Sequence, residues 1–231
     1  GDTMKKLVVI ITILILFIPK VNASTSSASS YILMDSTTGR VLMSKDMHSK
    51  RLIASITKIM TATLAIESGK LNDVVEVSPI IKEAYGSGIY IEVGEEITLK
   101  DLVYGLMLRS GNDAAMMISE YIGGTTEEFV NMMNKKAKEL GMKETTFYNP
   151  SGLPTPSGNY SSVYDMALLT KYAMNSPVYQ EIVKTKTYKV TTNKKTYLWH
   201  NKNKLLKYDY ITGGKTGYTE ESGRTLVSTA N

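Results

Sequence analysis

The sequence has no cysteine and only two histidines, His48 and His200, in 231 residues. Without thiols, disulfide-stapled scaffolds, cysteine nucleophiles and thiolate metal sites are excluded, and stability has to come from packing. With so few histidines and no His-Glu-x-x-His, a zinc hydrolase would have to be built almost wholly from carboxylates, so metal catalysis is set aside and no cofactor is expected. Also missing is any dense Lys/Arg run interleaved with aromatics, which leaves a nucleic-acid partner without support. Of the formal charge of +5, Lys5, Lys6 and Lys20 less Asp2 account for +2, all within residues 1–23. The remaining mild excess is compatible with an anionic polymer or a membrane surface.

What is present is enough apolar material for a real core, 42% of residues, in a length that suits one large domain or two small ones. Met4-Lys5-Lys6, an apolar run from Leu7 to Ile18 and then Val21-Asn22-Ala23 have the layout of an export signal, so residues 1–23 are read as a leader and the protein as extracytoplasmic. That run is shorter than the roughly 20 residues a membrane-spanning helix needs. A serine-rich linker over 24–30 follows. Tyr31–Asp35 and Arg40–Ser44 read as a hairpin around Ser36-Thr37-Thr38-Gly39. Residues 53–68 carry the spacing of a buried helix ending before Gly69, with Ser55 in its first turn.

Helix starts are written at Thr98-x-x-Asp101, at Asn112 or Asp113 as a cap, at Thr125-x-x-Glu128 and at Ser162-x-x-Asp165. Three prolines and two glycines between Tyr148 and Tyr160 mark a long ordered loop. Strands are expected at 186–191, 210–215 and 225–229. Strands at both ends of a helical middle predict an α+β fold in which the first and last strands lie together in an antiparallel sheet.

Three short motifs occur in order: Ser55-Ile56-Thr57-Lys58, Ser110-Gly111-Asn112 and Lys215-Thr216-Gly217. At roughly 7% Ser and 6% Lys, Ser-x-x-Lys arises about once by chance in a chain this long, whereas Lys-Thr-Gly is expected well under ~0.1 times. The ordered set is what carries the signal. A serine hydroxyl needs a base, and neither histidine is placed in sequence to serve Ser55. Lys58, three residues on, shares a helix face with Ser55, and burial beside Lys215 would lower its pKa towards the neutral amine a base requires. Ser55 at a helix start offers a backbone N–H to an oxyanion, with the N–H of Tyr218 as the second donor. In the same reading Ser110 moves protons, Asn112 orients substrate, Lys215 adds positive potential, Thr216 donates to a substrate carboxylate and Gly217 leaves room for a ligand against the backbone. Taken one at a time, these residues are equally an ordinary helix-start serine, a solvated lysine, a cap and strand-end punctuation.

Together the motifs resemble the signature of the penicillin-recognising serine acyltransferases. More narrowly, the chain resembles the low-molecular-mass D-alanyl-D-alanine carboxypeptidases, through Ile32-Leu33-Met34-Asp35, Ala54 to Thr61, Arg109 to Ala115, Asn149-Pro150-Ser151-Gly152-Leu153, Asn201 to Leu206 and Gly214 to Thr219. The resemblance runs over residues 31–231, taken as the catalytic domain. It implies a β-lactamase/transpeptidase-like fold with a helical subdomain. It also implies removal of the terminal D-alanine from peptidoglycan stem pentapeptides through a serine acyl-enzyme, with β-lactams as acylating mimics. In the family a further strand, a carboxylate-binding arginine, a closing helix, a β-rich domain and an amphipathic membrane anchor follow the Lys-Thr-Gly strand. The expectation is that this chain stops at Asn231 before them, so membrane association would rest on a segment absent from it. The rival readings are a β-lactamase, whose Glu-x-x-x-Asn has no counterpart in the 148–160 loop, and a penicillin-sensing or wall-binding fragment without turnover. No role is assigned to Ser151, and Asp165 is as well explained by capping as by chemistry.

Overall fold

The computed structural model describes residues 26–231; the leader read over 1–23 lies outside the described residues, and Ser26–Ser30 of the linker are mostly exposed and without regular structure. The expected hairpin forms from β1 (Tyr31–Met34) and β2 (Val41–Lys45), antiparallel with Tyr31 opposite Lys45. The Asp35 carboxylate accepts from the Thr38 backbone N–H at 2.7 Å and closes the turn. β3 (Arg51–Leu52) leads into a tight 3₁₀ turn, Ala54–Thr57, which runs directly into α1 (Lys58–Glu67). The spacing predicted one helix from 53 onward. Instead Ala54 sits in left-handed space at φ 48°, so the α-helical ladder cannot start upstream of Ser55 and begins only at Lys58.

Every residue of α1 from Lys58 to Ala65 is buried, which makes it the central element rather than a two-faced surface helix. Around it stand α2 (Leu99–Arg109), α3 (Asn112–Gly123), α4 (Thr126–Glu139), α5 (Val163–Ala173) and α6 (Pro177–Lys184). Three starts are as expected: the hydroxyls of Thr98, Thr125 and Ser162 each accept from the N–H three residues on, Asp101, Glu128 and Asp165. In α4 the buried residues Phe129, Met133 and Ala137 recur every fourth position. The start of α3 departs from expectation. Gly111 occupies the cap position without a capping side chain, and Asn112 and Asp113 are the first two helical residues, their side chains directed to other partners. α6, opened by Ser176 and Pro177, was not anticipated; at eight residues it is too short for a strong periodic signal.

The remaining strands are β4 (Val74–Glu76), β5 (Glu96–Thr98), β6 (Tyr160–Ser161), β7 (Thr187–Thr191), β8 (Thr196–His200), β9 (Ile211–Thr219) and β10 (Gly223–Ala230). The α+β class holds. Among the described residues the strands form five two-stranded antiparallel ladders, β1–β2, β3–β6, β4–β5, β7–β8 and β9–β10. The terminal strands are therefore present as two hairpins that both pack on α5, rather than as one continuous ladder. β9 is longer than expected and carries Lys215-Thr216-Gly217 in its interior, not at its end.

The β3–β6 pairing, with Arg51 opposite Ser161, brings the proline-rich 148–159 loop onto the turn that holds Ser55. The loop is pinned there by the Asn159 amide, which donates to Thr57 Oγ1 at 3.0 Å, and by the Thr61 hydroxyl, which donates to the Pro150 carbonyl at 2.7 Å. Gly152 allows the close approach: it sits at φ +87°, and a Cβ there would run into the Ala54 carbonyl. Gly152→Ala should accordingly lower unfolding stability by about 2 kcal/mol or more, read from urea denaturation, because it combines left-handed strain with overlap on a buried backbone. An unchanged midpoint would show that the loop does not depend on this contact.

Candidate active site

The Ser55 turn and the first residue of α1 place two side chains together. Lys58 Nζ lies 3.1 Å from Ser55 Oγ, 2.8 Å from Asn112 Oδ1 and 2.5 Å from the Ser151 carbonyl oxygen. Lys58 is 0% exposed. Burial, then the positive charges of Lys215 and Lys202, hold its pKa well below the ordinary lysine value, with Asp113 pulling weakly the other way. The partners also order the nitrogen. Asn112 Oδ1 and the Ser151 carbonyl can only accept, so a neutral amine spends both its N–H groups on them and turns its lone pair to the Ser55 hydroxyl.

The second motif forms the turn between α2 and α3. Ser110 closes α2 in a left-handed conformation, φ 62°, a placement rare for a residue with a side chain and a marker of functional turns. That geometry puts its hydroxyl 3.1 Å from Lys215 Nζ. Asn112 works at both ends: its Oδ1 accepts from Lys58, and its Nδ2 donates to the Tyr85 carbonyl at 2.6 Å. Asp113 accepts from the backbone N–H groups of Ile89 and Tyr90, which explains why neither residue caps its helix.

The third motif comes from β9. Lys215 is 2% exposed, and its Nζ also donates to the Thr216 carbonyl at 2.6 Å. Burial and the Lys202 charge push its pKa down to about 7. Gly217 faces the Ser55 turn: a Cβ there would stand 2.9 Å from the Ser55 nitrogen and 3.2 Å from that of Ile56. Thr225, opposite Gly217 on β10, donates its hydroxyl to the Ile53 carbonyl at 3.1 Å and ties the hairpin to the same turn. Thr216 is half-buried between Lys215 and Gly217, and Tyr218 is 63% exposed.

Ser55, Lys58, Ser110, Asn112, Lys215 and Gly217 thus meet in one place, from segments up to 162 positions apart. Several contributors were invisible to motif reading because they act through backbone atoms: the carbonyls of Ser151 and Tyr85 bracket the lysine and the asparagine. Asn159 and Lys202 lay within or beside recognised segments but had no assigned task. Asp165 is drawn away from this group; its Oδ2 accepts from the Glu144 N–H and the Thr145 hydroxyl, while Ser162 does the capping. His48 lies against Glu144 and Tyr164, and His200 against Thr187. No group of three His, Asp or Glu side chains suited to a metal occurs among the described residues.

Comparison with known proteins agrees with this geometry. Residues 19–231 match the family model described as D-alanyl-D-alanine carboxypeptidase. The chain is 44% identical over 214 residues to the D-alanyl-D-alanine carboxypeptidase DacF of Bacillus subtilis, covering 88% of this chain and 54% of that protein. It is 35% identical to DacC of Escherichia coli, covering 91% of this chain and 55% of that protein. The chain therefore spans about half the length of these curated relatives. A crystal structure of a D-alanyl-D-alanine carboxypeptidase from Mycobacterium tuberculosis superposes with a TM-score of 0.88 at 30% identity, over 93% of this chain and 81% of that one. A mutant of a Streptomyces DD-transpeptidase gives a TM-score of 0.86 at 31% identity, over 90% of this chain and 87% of that one. The chain belongs to the D-alanyl-D-alanine carboxypeptidase family of serine peptidases, with the fold of the penicillin-binding DD-peptidases.

Proposed function

We propose that residues 31–231 form the catalytic domain of an exported serine D-alanyl-D-alanine carboxypeptidase that removes the terminal D-alanine from peptidoglycan stem pentapeptides and is acylated by β-lactams. One observation carries the reading: a fully buried lysine nitrogen 3.1 Å from the Ser55 hydroxyl, with a second buried lysine bonded to the Ser110 hydroxyl of the neighbouring turn. The family names of the relatives supply the substrate class.

In this reading neutral Lys58 takes the Ser55 proton as Oγ attacks the carbonyl carbon of the penultimate D-alanine. The developing oxyanion is received by the backbone N–H groups of Ser55 and Tyr218, which Gly217 allows to approach closely. As the C–N bond breaks, the proton that Lys58 took from Ser55 is relayed through Ser110, whose hydroxyl is oriented by Lys215, to the departing amine, which leaves Lys58 neutral again. Asn112 orients both Lys58 and the substrate amide, and Thr216 donates to the terminal carboxylate. Water then cleaves the acyl-enzyme with Lys58 again as base. The loop at 148–160 contains no glutamate, so the fast deacylation of a β-lactamase is not supported.

Fluorescent penicillin should label the full-length protein at Ser55, and a D-Ala-D-Ala peptide should lose D-alanine; Ser55→Ala should abolish both. Retention of either by a folded Ser55→Ala protein would sink the assignment, and labelling of the wild type without peptide turnover would favour a penicillin sensor. Lys58→Ala, which removes the amine without burying a fixed charge, should slow acylation by about 10²- to 10⁴-fold with folding intact. For the wild type, protonating Lys58 removes the base, so acylation should be flat at alkaline pH and fall about tenfold per unit below an apparent midpoint that lies well below the ordinary lysine value. Lys215 titrates at about 7 in the same cluster, and the midpoint belongs to the pair. A rate still climbing at pH 10 would mean an ordinary, unperturbed lysine.

A further inference from the structure

Residues 84–91 cross the site without regular secondary structure, and Tyr85, Gly86, Ser87 and Tyr90 are exposed. Buried Ile89 and Ile91 anchor the far end of this segment in the core and Asp113 accepts from the Ile89 and Tyr90 N–H groups, whereas residues 85–87 rest on a few polar tethers. Two come from the start of α3: the Asn112 N–H donates to the Ser87 carbonyl at 2.7 Å, and the Asn112 amide donates to the Tyr85 carbonyl at 2.6 Å. A third is Lys202, in the connection after β8, whose Nζ donates to Ser87 Oγ at 3.1 Å. Lys202 is itself anchored by its backbone N–H to the Leu108 carbonyl at 3.0 Å, two residues before Ser110. A continuous chain of contacts therefore runs from Lys202 through Ser87 and Asn112 to the Lys58 nitrogen.

We propose that Lys202 is a positioning residue that ties Ser87 of the 84–91 segment to the Ser110–Asn112 turn, holding Asn112 in register with Lys58. The inference rests on the reading of Lys58 as the base. The charged groups acting on Lys58 are Lys215 from β9, Lys202 from the β8–β9 connection and, opposing them, Asp113 from α3. The one acting on Lys202 is Arg109 at the end of α2. Taking away the Lys202 charge therefore raises the Lys58 pKa and lowers the neutral fraction at a given pH.

The test compares Lys202→Met, Lys202→Arg and Ser87→Ala in the full-length protein, with thermal unfolding as the control for folding. Acylation by fluorescent penicillin is followed against pH, and amide hydrogen exchange is followed over 84–91 and at Asn112. Lys202→Met should slow neutral-pH acylation about 10- to 100-fold, move the acid limb to higher pH and speed exchange in the segment. Lys202→Arg should restore all three. Ser87→Ala should speed exchange while leaving the acid limb in place, since the charge remains. Wild-type exchange and an unmoved acid limb in Lys202→Met would overturn the proposal, as would an equal defect in Lys202→Arg. If the wild type is not acylated at all, the functional reading fails, and exchange in Lys202→Met still decides the positioning role.

Discussion

Two lysine nitrogens, Lys58 and Lys215, sit in the interior of this protein within hydrogen-bonding reach of serine hydroxyls, and the surrounding architecture is organised around keeping them there. Burying an ammonium costs several kcal/mol unless the group is paired or loses its proton. Here the described contacts of both nitrogens are to hydroxyl, amide and carbonyl oxygens, with no carboxylate among them. Two cations without a bonded anion favour the neutral form of each. Between about pH 7 and 10.5 the unfolded chain binds the Lys215 proton that the folded chain has released, so this group's contribution to stability is complete above the unfolded pKa and is lost as pH falls towards 7. The site is thus a local liability near neutrality that the enclosing core offsets.

That offset is visible in the enclosure of α1. Its first residue is Lys58, the proposed base, the next seven are buried on every face, and α2 to α6 surround it. A helix held this way cannot shift without disturbing the whole core, which fixes the Lys58 stem to the accuracy that proton transfer needs. The strained backbone lies at the rim: Ala54 just before Ser55, and Ser110 at the α2–α3 turn, both left-handed without being glycine. Asparagines finish the fit. Asn149 accepts from the Ser151 and Gly152 N–H groups, Asn159 bridges the loop to Thr57, and Asn112 joins the lysine to the 84–91 segment.

The parts of the fold legible in the sequence were those encoded within a few residues. The hydroxyl caps of Thr98, Thr125 and Ser162 and the β1–β2 hairpin around residues 36–39 are local physics and came out as expected. The misses have non-local causes. Ser55 lies in a 3₁₀ turn, a conformation set by left-handed Ala54 beneath the 148–159 loop, and nothing between residues 53 and 58 announces that loop. Asn112 and Asp113 have good capping side chains but are claimed by Lys58, Tyr85, Ile89 and Tyr90, partners 23 to 54 positions away.

The sequence by itself determined which residues are the candidates for nucleophile and companions, because three short motifs in fixed order are too improbable together to be incidental, and their residue types are those an amine-activated serine would need. Only the tertiary structure decided that the amine is buried, that its N–H groups go to Asn112 and the Ser151 carbonyl, and that Lys215 and Lys202 add their charges to its surroundings. The reason is physical. A side chain's identity is written at its own position, whereas a pKa belongs to the dielectric and charges around it, and those are assembled from distant segments only when the chain folds.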